Sequence, residues 1–94
     1  MSTAKTILSQ IKMFDPMALF AWGAKDYTDT GKGLQFKTSG MTPYKGYVKI
    51  NYNEGQDLYE IEFFRIRKSE VKVDKTVNEV YAEDMVRIID SFVG

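Results

Sequence analysis

The chain predicts an α+β domain: an N-terminal helix, an antiparallel sheet of four to five strands, and a C-terminal helix packed on one face. Three observations predict it. Four strand-type runs follow one another from Gly33 to Val77. Amphipathic helical patterns flank these runs on both sides. The runs are joined by short turn-forming stretches, among them Asn53-Glu-Gly-Gln-Asp57, which marks a hairpin. At 94 residues the chain is the size of one domain, 1–94.

Each element has its own signal. Thr3 to Lys12 spaces Ala4, Ile7, Leu8 and Ile11 along one helical face, with Ser2 or Thr3 as cap. Asp15-Pro16 suits a second helical start, with Asp15 as N-cap and Pro16 in the first turn. Met17 to Gly23 reads as strand or irregular extended chain, because Gly23 breaks it and Phe20 and Trp22 prefer a pleated surface. Asp26 to Gly33 has the composition of a loop. Leu34–Thr38 and Tyr47–Tyr52 alternate as strands, Leu58–Arg67 is the longest strand, and Glu70–Asp74 is the last. Thr76-Val-Asn-Glu79 matches a capping box. The helix expected after it carries Val77, Tyr81, Met85, Ile88 and Phe92 on one stripe. The expected core is Ile7, Leu8, Ile11, Leu34, Phe36, Val48, Ile50, Ile61, Phe63, Val71, Val73, Tyr81, Met85, Ile88 and Phe92.

The longest strand poses a question of register. Tyr59, Ile61 and Phe63 share one parity, and Phe64 and Ile66 share the other. A bulge at Phe63-Phe64 would turn both sets to the core and Glu60, Glu62, Arg65 and Arg67 outward. Without that turn, Phe64 and Ile66 form an exposed apolar patch, the mark of an interface.

Composition narrows the chemistry. The chain has no Cys, which excludes a disulfide framework and a thiolate zinc site. It has no His, the commonest general base and metal ligand. No cofactor, metal or catalytic residue is expected. Thirteen basic and thirteen acidic residues cancel, unlike the balance of a strongly basic nucleic-acid binder. The charge is split, however: residues 1–53 hold seven Lys and three Asp, and residues 54–94 hold six basic and ten acidic residues. No apolar run nears the ~20 residues of a bilayer span, and Met1 to Lys5 opens no signal-peptide core. A soluble cytoplasmic protein with no membrane partner and no small-molecule substrate is expected.

Glu60 and Glu62 lie about 7 Å apart on one strand face, a spacing open to hydrolysis or cation binding. Opposite Lys49 and Lys72 they are better read as cross-strand ion pairs. Glu83 and Asp84 suit a solvated helix face. Gly31-Lys32-Gly33 and Gly23-Ala-Lys25 lack the spacing of a phosphate loop. The strongest constellation is basic and aromatic. Tyr47, Lys49, Arg65, Arg67 and Lys72 are expected on one open sheet face, where they can stack bases and contact phosphates of a single strand. A solvated face with salt-bridged rungs is the plainer reading of the same residues. Trp22, Phe14 and Phe20 cluster in sequence and suit the core, or an edge by which copies pair.

Several strings resemble small phage and prophage proteins of unknown function. They are Gly23-Ala-Lys-Asp-Tyr27, Leu34-Gln-Phe-Lys37, Tyr47-Val-Lys-Ile-Asn51, Asp57-Leu-Tyr-Glu-Ile-Glu-Phe63 with Arg65-Ile-Arg67, Val71-Lys-Val73, and Asn78-Glu-Val-Tyr-Ala-Glu-Asp-Met85. The resemblance implies a mobile-element origin, a bacterial cytoplasm and a small accessory role, and it brings no site residue. The leading expectation is a non-enzymatic accessory protein acting by protein contact or self-association. Single-stranded nucleic-acid binding comes second, and an enzyme using Glu60 and Glu62 third.

Overall fold

A computed structural model describes residues 3–40 and 43–94. Helix α1 spans Thr3–Phe14, and a short helix α2 spans Ala18–Trp22. Five strands follow: β1 Ala24–Asp29, β2 Gly33–Thr38, β3 Tyr47–Asn53, β4 Leu58–Arg67 and β5 Glu70–Val80. A 3-10 turn at Ala82–Asp84 leads into helix α3, Met85–Val93. The strands form one open antiparallel sheet in the order β1-β2-β3-β4-β5. The expected α+β arrangement of N-terminal helix, antiparallel sheet and C-terminal helix is the one observed. Among the described residues no helix is long and apolar enough to cross a membrane. The expected cap Ser2 lies outside the described residues.

The helices cover one face of the sheet. Ala4, Ile7 and Ile11 of α1 bury at helical spacing against Leu34, Phe36, Val48, Ile50, Ile61 and Phe63. Phe63 meets Phe92 of α3 at a ring separation of 4.2 Å. Trp22 stacks on Phe36 at 6.1 Å, and its indole N–H donates to Asp90 Oδ1 at 3.1 Å, tying α2 to α3.

Four readings of the sequence need correction. Residues 18–22 are helical, not extended. Asp15 Oδ1 accepts the Met17 N–H at 3.0 Å, so the turn begun by Asp15-Pro16 runs on into α2. Ala18, Leu19 and Trp22 then bury at helical spacing, while Phe20 and Phe14 face solvent. Residues 26–29, expected as the start of a loop, belong to strand β1. They form an edge, which needs little apolar content, and a bulge at Asp26-Tyr27 breaks their alternation. The capping box at Thr76 does not start a helix. Val77 pairs with Ile61 and Val80 with Tyr59, so tertiary pairing with β4 outweighs the local cap and carries β5 on to Val80. The last helix therefore starts later, and its buried stripe is Met85, Ile89 and Val93, with Ile88 and Phe92 partly buried beside it.

The core differs at three further positions. Val71, Val73 and Tyr81, expected inside, are exposed. The first two lie on the uncovered sheet face. Tyr81 is the hinge residue between β5 and the 3-10 turn.

Gly23 ends α2 in the left-handed region at φ 63, with its N–H closing on Leu19 and Phe20 carbonyls. A Cβ there would lie 2.1 Å from the Gly40 nitrogen. Gly23→Ala is expected to cost about 2 kcal/mol or more, from left-handed strain plus this collision. A denaturant midpoint that falls while the slope stays constant will show it.

Candidate functional site

Register decides which side chains share a face. The β3–β4 ladder is unbroken from Tyr47↔Phe64 to Asn53↔Leu58. Phe63 sits opposite Val48 in the core, so Phe64 lies on the other face with Tyr47. The irregularity expected at Phe63-Phe64 exists, but the extra residue belongs to β5. Phe63 pairs with Lys75 and Phe64 with Val73, leaving Asp74 between them. The bulge therefore does not turn Phe64 and Ile66 inward. Nor do the two form the exposed patch expected otherwise: Ile66 is exposed, and Phe64, on the same open face, is buried.

One row crosses the whole open face: Lys25, Lys37, Tyr47, Phe64 and Val73, one from each strand. Tyr47 and Phe64 stack at 5.1 Å with rings 10° from parallel. Lys37 Nζ lies 6.0 Å from the Tyr47 ring centre, and Lys49 Nζ lies 5.7 Å from that of Phe64. These neighbours shield Phe64 to 5 % exposure although no helix covers it. Beside it Ile66, Val71 and Val73 remain 50, 61 and 49 % exposed. Lys49 also reaches Glu62 at 3.5 Å, an expected cross-strand pair, whereas Lys72, expected opposite these carboxylates, lies opposite Arg65. Glu60 lines a groove with Lys32 and Asn51, while Glu62 is held by Lys49. Asp84 pairs with Arg87 at 3.3 Å. Among the described residues no group of three potential metal ligands is found.

The five expected binding residues divide between two faces. Tyr47 and Lys49 are on the open face. Arg65 and Lys72 oppose one another across β4–β5 on the helix-covered side, and Arg67 shares their parity at the exposed strand end. Arg65 is committed there: its Nε and Nη2 donate to Asp74 Oδ2 and Oδ1 at 2.8 and 2.9 Å. The Tyr44 hydroxyl donates to the same carboxylate at 2.7 Å. Hydrogen bonds from Arg65, then from Tyr44, hold the Asp74 carboxyl below the usual range. Burial, then the Asp74 bond, raises the Tyr44 hydroxyl.

A groove of about 700 Å³ at one end of the sheet partly reunites the set. Lys37, Lys45, Tyr47, Arg65, Ile66 and Arg67 line it, with no carboxylate in its wall among the described residues. Lys37 and Lys45 were not singled out from sequence, nor were Val71 and Val73 as surface residues. The signal for the apolar patch was present: Phe64 and Ile66 continue the parity of Glu60 and Glu62 without a break. A second exposed apolar corner, Met13, Phe14, Met17 and Phe20, lies where α1 passes into α2.

Comparison with protein-family models, with curated proteins and with solved structures finds no match to this chain.

Because the folded Asp74 pKa is depressed, its contribution to stability is present above the ordinary carboxylate pKa and is lost as pH falls through the folded value. Stability is expected to fall from about pH 5 to about pH 2, with a smaller fall in Asp74→Asn. Urea titrations across that range measure both slopes.

Proposed function

We propose that this protein is a non-enzymatic docking module that binds another protein surface, its own or a partner's, through the open face of β3, β4 and β5. One observation carries the reading. Ile66, Val71 and Val73 form an exposed apolar strip beside the Tyr47–Phe64 stack, on the face that no helix covers. Such strips are unusual on monomeric proteins and mark interaction sites. Its Lys37, Lys49 and Glu62 surround gives the polar rim of a specific contact. The resemblance to small phage proteins supports an accessory role of this kind in a bacterial cytoplasm.

The double variant Ile66→Lys/Val73→Lys tests the reading, since both side chains are exposed and the fold does not need them. Sedimentation velocity and affinity retention are expected to find association in the wild type and at least about a tenfold loss in the variant. Association that the variant leaves unchanged would contradict the reading.

A second reading rests on the groove of Lys37, Lys45, Tyr47 and Arg67, whose uncompensated positive charge beside an aromatic ring suits single-stranded nucleic acid. Anisotropy of a labelled oligonucleotide is then expected to show binding at about 50 mM salt that weakens sharply at about 200 mM. Lys45→Ala/Arg67→Ala should abolish it. Zero net charge, and the use of Arg65 by Asp74, place this reading second.

A further inference from the structure

The geometry points to a second copy of this chain as the partner of the β5 edge, with the two β5 strands paired antiparallel about Val71 so that both sheets become one. This names the partner for the docking role proposed above and rests on that role.

Strand β5 ends the sheet, and no strand lies beyond it among the described residues. Its first half is built to pair. Lys68 and Ser69 have φ 51 and 66, the signature of a two-residue hairpin closed by Arg67↔Glu70. The closing pair of such a hairpin exchanges its hydrogen bonds, and the direction alternates along the strand. Val71 and Val73 therefore turn their N–H and C=O groups away from β4, toward the free edge. No bulge interrupts Glu70 to Val73, because the first extra residue is Asp74. An edge with such a run of free backbone groups and exposed Val side chains is a template for another strand.

Charge and the Asp74 bulge together select the register. Directly opposed residues in an antiparallel pair share a face, so Val71 and Val73 must meet open-face positions of the other copy. Val73 on the two-fold axis would run the ladder through the Asp74 bulge. Lys72 on the axis would oppose Lys72 to itself and Glu70 to Asp74. Val71 on the axis sets Glu70 of each copy opposite Lys72 of the other, twice over. Lys72 gains a direct ion pair, where its own copy gives it only the longer-range attraction of Asp74. It lies opposite Arg65, a like charge, and has no carboxylate within ion-pair distance among the described residues. On the open face the same register joins Ile66 and Val71 of one copy to Val71 and Ile66 of the other in one apolar row.

Sedimentation equilibrium of the full chain at about 50 mM salt tests this pairing, at an ionic strength where exposed charge pairs are not fully screened. The wild type is expected at twice the chain mass. Glu70→Lys and Lys72→Glu should each weaken the dimer about tenfold or more, because each change sets like charges opposed at two places. An equimolar mixture of the two variants should dimerise again, since opposite charges then meet across the axis. Val71→Pro removes an edge-facing N–H, which an edge strand tolerates, and should abolish the dimer while circular dichroism stays unchanged. A monomeric wild type, or a mixture that stays monomeric, overturns the pairing. A dimer that ignores all three changes but dissolves in Ile66→Lys/Val73→Lys overturns the edge pairing and leaves open-face docking standing.

Discussion

Between Phe63 and Phe64 strand β4 advances one residue while β5 advances two, and the residue left over is Asp74. Much of the molecule's surface chemistry follows from that bulge. It sets Asp74 where the Arg65 guanidinium and the Tyr44 hydroxyl converge on it. Tyr44 in turn packs edge-on against Phe92 at 4.9 Å, and its N–H donates to the Val93 carbonyl. The bulge thus fastens the segment before β3 and the end of α3 to the sheet. It also withdraws Arg65 from the surface chemistry that its residue type suggests.

The two sheet faces differ in how they bury aromatic rings. On the covered face Phe36, Phe63 and Trp22 are enclosed by helices. On the open face Phe64 is enclosed by neighbours in its own layer, with Tyr47 stacked beside it and Lys49 lying over it. Long cationic side chains can cover apolar surface in this way while their charged ends stay in water. The cover stops at Phe64. Ile66, Val71 and Val73 continue the apolar surface to the sheet edge without it.

Most elements were legible because their periods are local. The alternation of Leu34–Thr38, Tyr47–Tyr52 and Leu58–Phe63 and the spacing of Ile7 and Ile11 identify strands and a helix without knowledge of neighbours. The errors arose where neighbours decide. Strand β1 is too polar to read as a strand except beside β2. Helix α2 is too short for its period to outweigh the strand preference of Phe20 and Trp22. Thr76 to Glu79 has the chemistry of a helix cap, yet β4 offers Ile61 and Tyr59 as partners, and pairing prevails. The site was half legible. Tyr47 and Lys49 share the expected face. Arg65 and Lys72 do not, because an extra residue in β5 leaves the parity of β4 intact. That Phe64 and Ile66 share the open face followed from parity alone; that Tyr47 and Lys49 would bury Phe64 there did not.

The central claim is that the free edge of β5, with the open face beside it, is a surface built to be covered. Amide hydrogen exchange at Val71 and Val73 across a dilution series tests it most directly, because both N–H groups point away from β4. Slow exchange at high concentration that becomes fast on dilution, with the β3 amides unchanged, is the predicted result. Fast exchange at both residues at every concentration would contradict the account.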